Sequence, residues 1–262
     1  MPRTLFVAAA VVVASLTLAA QSPTAIVAPT GTLRATFLGG NPVHARVNAT
    51  TGEATGTVPD IIRELARRLG VPAQLISSPN AAAVSRALAD GSADIGFLAY
   101  DEERARDVEF GPAFVVMLNS YLVKADSPIR TNADVDRAGV VVGAVTGASQ
   151  QFFVSRTLTR ARIRLFTDTP PQAEMLRLLQ SGEVTALAIN RQRSLEAQAA
   201  SSTVRALDDS FMRVEQSVVL PKGNRARLDA VAPMVRDLVR SGFVKTAVER
   251  AGLTGVEIAT PR

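Results

Sequence analysis

The sequence contains no cysteine and a single histidine, His44. Without thiols there is no disulfide, no thiolate metal site and no cysteine nucleophile. One imidazole cannot build a histidine-based metal centre, and a Ser-His-Asp triad would have to run through His44 alone. Lysine is scarce, at positions 124, 222 and 245 only, and aromatic residues are 5% of the chain. The positive charge is therefore nearly all arginine. A net charge of +5 and a pI near 10.3 raise nucleic acid as a partner. The arginines, however, are scattered among acids, and aromatic stacking platforms are few, so nucleic acid is not expected. A small anionic ligand fits this balance better.

Long apolar runs are also missing, apart from one at the start. There a basic MPR precedes LFVAAAVVVASLTLAA, which ends in small residues, the layout of a secretory signal peptide. The run is shorter than the roughly 20 residues of a spanning helix. We therefore expect residues 1–20 to be a signal peptide cleaved near Ala20, residues 21–30 (QSPTAIVAPT) to be a flexible lead-in, and the mature protein to be periplasmic. No cysteine follows the apolar run, so a lipid anchor is not available. The rest, at 262 residues overall with 47% hydrophobic and 20% charged residues, has the composition of a globular protein of one large or two small domains.

Periodicity then orders the chain. LRATFL (33–38) is β-compatible and ends at the turn Gly39-Gly40-Asn41-Pro42. Pro59-Asp60 opens a helix with apolar Ile61, Ile62, Leu65, Ala66 and Leu69, stopped by Gly70. VPAQLIS is a strand, Asn80 to Asp90 a helix, and Ala93 to Ala99 a strand, giving a wound α/β sheet. A second series follows. It comprises strand Val115 to Lys124, the apolar VVVGAV (140–145), a helix from Gly147 to Leu158, strand IRLFT, a helix from PPQAEMLRLLQSG, and strand VTALAIN. Val214 to Leu220 is a further strand, and helical patterns at Arg225 to Arg240 and Phe243 to Ala251 close the chain. Those last helices have no sheet of their own, so the second α/β unit is inserted into the first.

One stretch is unusual. In DIGFLAYDEERARDVEFGPAF (94–114) a buried-looking strand runs straight into a dense cluster of both charge signs, and the chain breaks again at Gly111-Pro112. Spacing alone reads this as a solvated turn. A charge aimed into a cleft is the alternative.

Taken in order, GTLRATF, GTVPDIIRELARRLGV, LADGSADIGF, DEERARDVEFGPAF, VVGAVTGASQ, SGEVTALAIN, VVLPKGN and VRDLVRSGFVKTAVERAG resemble the periplasmic solute-binding proteins of amino-acid ABC transporters, family 3, with the type 2 periplasmic binding fold. The resemblance covers the whole mature chain. It implies two α/β lobes, 31–116 plus 216–262 and 117–215, joined by two crossing strands, with a ligand trapped between them. It makes Arg104, six residues before Phe110, the anchor for the ligand's carboxylate. The loop Thr146, Gly147 and Ser149 would meet the same ligand from lobe two, where a strand, a glycine turn and a helix start form an anion cradle. Asn41, Ala99, Tyr100 and Asn190 complete the expected ligand-binding set.

Three departures from the family pattern bear on the ligand. Asn190 stands where an aspartate usually takes the ligand's ammonium, and it can accept a hydrogen bond but brings no charge. The loop GGNPVHA lacks the usual aromatic, and Ala99 replaces a small hydroxyl residue. The ligand is then a small anionic or zwitterionic solute, with an acid lacking an ammonium one candidate. The implied partner is an ABC permease of the inner membrane. No cofactor, metal or catalytic residue is implied, and a monomer is expected. The alternatives are an enzyme on the same fold, a lyase similar to cyclohexadienyl dehydratase, for which Asp101, Glu102, Glu103 or His44 would supply acid–base groups, and a secreted accessory or sensor module. His44 itself reads as a surface loop residue near Arg46, Phe37, Phe97 and Phe110 as core, and Tyr100 as either.

Overall fold

The computed structural model describes residues 22–260. The expected signal peptide lies outside them. Where the sequence suggests a flexible lead-in, the described residues 22–30 contain a short helix. Ser22 caps a short helix, α1 (Pro23–Val27), by accepting the Ala25 N–H. Val27 and Ala28 are buried, Thr24 donates to the Leu69 carbonyl, and the Arg227 guanidinium donates to the Ile26 carbonyl. Two apolar side chains and two long-range hydrogen bonds hold a segment whose composition alone reads as disordered.

The first α/β unit follows as β1 (Leu33–Leu38), a small hairpin of β2 (Arg46–Val47) and β3 (Ala54–Thr55), α2 (Thr57–Leu69), β4 (Ala73–Ser78), α3 (Ala81–Ala89) and β5 (Ile95–Ala99). Helix α2 begins two residues before Pro59, which falls in the first turn where its missing N–H costs nothing. Strand β6 (Val108–Lys124) does not break at Gly111-Pro112. There the partner strand shifts register between Gln216 and Val219, so the proline sits where the ladder is already interrupted.

The second unit comprises β7 (Val141–Val145), α4 (Ser149–Thr157), β8 (Arg162–Phe166), α5 (Gln172–Gln180), β9 (Ala186–Asn190), α6 (Arg191–Ala200) and β10 (Val204–Ala206). The chain returns through β11 (Met212–Pro221), α7 (Arg225–Arg240), α8 (Phe243–Arg250) and β12 (Val256–Ile258). The sheet order is β4-β1-β5-β11-β6-β9-β7-β8, with β10 and β12 also paired to β6. Strands β1, β4 and β5 are parallel, as are β7, β8 and β9.

Both faces of each parallel set are covered, as the near-continuous apolar strands require. One large core gathers Leu33, Phe37, Ile61, Leu65, Phe97 and Phe114 with Val231, Val235 and Leu238 of α7. The other face packs Val84 and Leu88 against Leu98 and Val219. In the second unit Tyr121, Val142, Val154 and Ala188 lie on one face, and Leu122, Met175, Leu178 and Leu187 on the other. Phe37 and Phe97 are core, while Phe110 is only half-buried.

His44 is fully buried, which corrects its reading as a surface residue. Its ring stands edge-on to Phe114, Nδ1 accepts the Leu38 N–H, and Nε2 lies 2.8 Å from Gln216 Oε1. Since Nδ1 accepts, Nε2 carries the proton, and the ring is neutral. Burial pulls its pKa down from 6.5 to about 4, against a smaller upward pull from Gln216. The unfolded chain then binds a proton that the fold excludes, so stability is complete above pH 6.5 and falls as pH drops toward 4. Carboxylates held low by arginine, such as Glu64 beside Arg67 and Arg68, stabilise the fold above their ordinary pKa of 4.5 and lose that contribution only at lower pH, so they add little to the change between pH 7 and pH 5. We predict that stability falls by about 2 kcal/mol between pH 7 and pH 5, and that this slope vanishes in His44→Gln. Chemical denaturation at the two pH values measures both, and a flat wild-type profile would refute the buried neutral ring.

Candidate functional site

In open α/β sheets the crevice beyond the carboxyl ends of parallel strands collects loops and helix N-termini. Here two such ends face each other. From the first unit come Leu38, Gly40 and Asn41 after β1, Pro79 and Asn80 after β4, and Ala99 and Arg104 after β5. From the second come Thr146, Gly147 and Ser149 after β7, Thr167, Asp168 and Thr169 after β8, and Ile189, Asn190 and Arg193 around the end of β9. Together they enclose a cavity of about 130 Å³.

The charged run after β5 resolves residue by residue. Asp101 is buried and turns the chain, its carboxylate accepting the Glu103 N–H and its carbonyl the Ala105 N–H. Glu102, Glu103, Arg106 and Asp107 are exposed. Arg104, on a short 3-10 turn, points inward. Its Nη1 donates to the Ala99 carbonyl at 2.9 Å and its Nη2 to the Gly147 carbonyl of the opposite unit at 2.5 Å. The guanidinium lies 5.7 Å from the centroid of Phe152. Desolvation lowers its pKa from the ordinary arginine value, partly offset by the charge of Asp101.

The facing loop is a helix start without a side-chain cap. Gly147 has φ +72°, the left-handed turn that takes the chain from β7 into α4, and Ala148 offers no capping oxygen. No acid lies in the first turn of α4, so its positive end is uncompensated. Ser149 is buried at this end, and among the described residues its hydroxyl has no hydrogen-bond partner.

Asn190 ends β9 and caps α6. Its Oδ1 accepts the Arg193 N–H at 2.8 Å, and its Nδ2 reaches Asn41 Oδ1 across the cleft at 3.4 Å. The acceptor that could have met an amine is already used, and the group left facing the cleft is a donor. Tyr100 is not among the residues that line the cavity. Ala99 faces the cavity, so the next residue points away, as strand alternation requires. The Tyr100 ring packs on Phe110 at 5.0 Å and is 46% exposed.

Arg193 was not foreseen from the sequence. It donates through Nη2 to the Gly40 carbonyl of the first unit at 2.7 Å and through Nη1 to the Pro170 carbonyl at 3.4 Å. Desolvation lowers its pKa too, ahead of the opposing influence of Glu196. The signal was present in INRQR, where an asparagine caps a helix and the third residue on is bound to lie beside it. Each unit thus gives one arginine to a loop carbonyl of the other. Among the described residues the sole acid lining the cavity is Asp168, which is exposed.

The family model for bacterial extracellular solute-binding proteins, family 3, matches residues 39–252. No curated protein matches the sequence. Similar solved structures include the solute receptor for L-cysteine of Neisseria gonorrhoeae, 18% identical over 90% of this chain and 99% of that one, with a TM-score of 0.76. The cysteine-binding protein from Campylobacter jejuni is 15% identical over 88% and 97%, with a TM-score of 0.74. The ancestral amino acid-binding protein AncCDT-1, a precursor of cyclohexadienyl dehydratase, is 21% identical over 88% and 99%, with a TM-score of 0.73. At these identities the likeness is one of fold.

The cap makes a separate prediction. Asn190→Ala should lower stability by about 1 kcal/mol by leaving the Arg193 N–H unpaired, whereas Asn190→Asp should keep the cap. Urea denaturation of the two variants checks this, and equal losses would remove the capping role.

Proposed function

The chain belongs to the bacterial extracellular solute-binding proteins, family 3, and on that premise we propose that it is a periplasmic receptor that traps a small polar acid between two lobes and delivers it to an ABC permease. The lobes would be 31–116 with 216–262, and 117–215, and the protein would act as a monomer. The observation that carries this reading is the cavity between the opposed strand ends, where Arg104 and the bare start of α4 converge from opposite sides. A planar guanidinium and free backbone N–H groups are the pair that replaces the water around a carboxylate.

A binding role is favoured over an enzymatic one. General acid–base chemistry needs a titratable group within reach of substrate. The one histidine is buried away from the cavity lining, Asp101 serves the turn, and Asp168 sits exposed at the rim. Among the described residues no helix is long and apolar enough to cross a membrane. Bending is expected where the crossing strands leave one unit for the other, near Leu118 to Tyr121 of β6 and Arg213 to Gln216 of β11.

A thermal-shift screen of the mature protein against organic and amino acids tests the reading, since a ligand at 100 times its Kd adds about 2.7 kcal/mol. Solution scattering should show a smaller radius of gyration when ligand is saturating, and an unchanged radius would count against a two-lobe trap. Arg104→Ala should weaken the best ligand by about 2–5 kcal/mol in calorimetry while leaving the fold intact. Unchanged affinity would remove Arg104 from the site.

A further inference from the structure

We infer that the ligand is a small dianion without an ammonium group, a dicarboxylate or an acid of equivalent charge, held at one end by Arg104 and at the other by Arg193. This rests on the receptor reading above and names its substrate class.

Both guanidiniums line one cavity, and they enter it from opposite units. Each makes two hydrogen bonds, all to backbone carbonyls. A guanidinium has five N–H donors, so most of each fork remains available. The acids whose charges act on the two guanidiniums are themselves engaged elsewhere. Asp101 accepts from Glu103 and lies 3.9 Å from Arg156, and Glu196 pairs with Arg46 and accepts from Gln192. Among the described residues neither Arg104 nor Arg193 forms an ion pair. Partly desolvating two like charges in one small cavity is costly unless something negative joins them. Carbonyl oxygens satisfy donors but carry no net charge, so these bonds leave the positive charge of both guanidiniums uncompensated.

The other polar groups have the same sense. The start of α4 is positive, and Asn190 turns its Nδ2 donor toward the cleft while its oxygen caps α6. Among the described residues the one acid an ammonium would find in the cavity lining is Asp168, exposed and screened by solvent.

Calorimetry on the mature protein with straight-chain dicarboxylates from malonate to adipate, with monocarboxylates and α-amino acids of the same carbon number, and with glutamate tests this at fixed salt. The best dicarboxylate should bind at least tenfold more tightly than its monocarboxylate and its α-amino acid. In Arg193→Gln, checked for folding by circular dichroism, the advantage over the monocarboxylate should shrink to threefold or less, and Arg193→Lys should restore part of it. An α-amino acid or glutamate that binds as tightly as the dicarboxylate overturns the inference and leaves the receptor standing. Equal weakening of mono- and dicarboxylate in Arg193→Gln removes Arg193 as the second anchor. Binding of no compound in any class overturns the inference together with the receptor reading. The wild-type comparison decides the ligand class even if the variants fail to fold.

Discussion

The structure depends on one uninterrupted strand. β6 pairs with β11 through its first part, with β12 near its middle, and with β9 and β10 through its second. Every other strand of the sheet is placed relative to it, directly or through a neighbour. At the handover stands Asn119, fully buried, opposite Met212 on one side and Asn190 on the other. Its Nδ2 donates to the Met212 carbonyl and its Oδ1 accepts from Gln150 of α4. A buried amide must have partners, and those partners come from the return strand and from the helix that opens onto the cavity. The geometry of the cleft is thus fixed from its floor.

The C-terminal segment adds a second tie. Gln192 of α6 accepts the N–H groups of Thr254 and Gly255 through one oxygen, and Leu118 of β6 donates to the Gly255 carbonyl. A side chain on Gly255 would begin 2.4 Å from the Gln192 nitrogen, so only glycine permits this approach. The arginine contacts at the mouth differ in kind. They join a charged donor to a neutral carbonyl, a weaker partner than a carboxylate. The floor is held by a buried amide network, the mouth by single arginine-to-carbonyl bonds.

Much of this was legible in the sequence because it rests on periodicity. The 3.6-residue pattern of α2 and the apolar runs of β5 and β7 were recognisable since burial on both faces leaves no other composition. The three-residue strands β10 and β12 were not, because their stability comes from pairing with β6 rather than from their own residues. The lead-in helix and the bulge at Pro112 were hidden for the same reason: a distant segment supplies what the local sequence lacks. At the site, Arg104 came with the family pattern and the α4 loop with its glycine. His44 was misread because a loop histidine carries no mark of the glutamine 172 residues away that completes its bonding. Arg193 was missed because an arginine in a helix's first turn is ordinarily solvated.

The order of the chain has a kinetic meaning. The unit between Tyr121 and Leu207 draws its cores from one continuous stretch, whereas the other unit needs β11, α7 and α8 from the last part of the chain to cover β1 and β5. Joining those ends through an unfolded middle means closing a long loop, whose entropic cost rises with the logarithm of its length. A folded middle unit removes most of that cost, because Asn119 and Met212 are then cross-strand neighbours and the loop is only as long as the gap between them. The inserted unit is in this sense a clamp that turns a distant assembly into a local one.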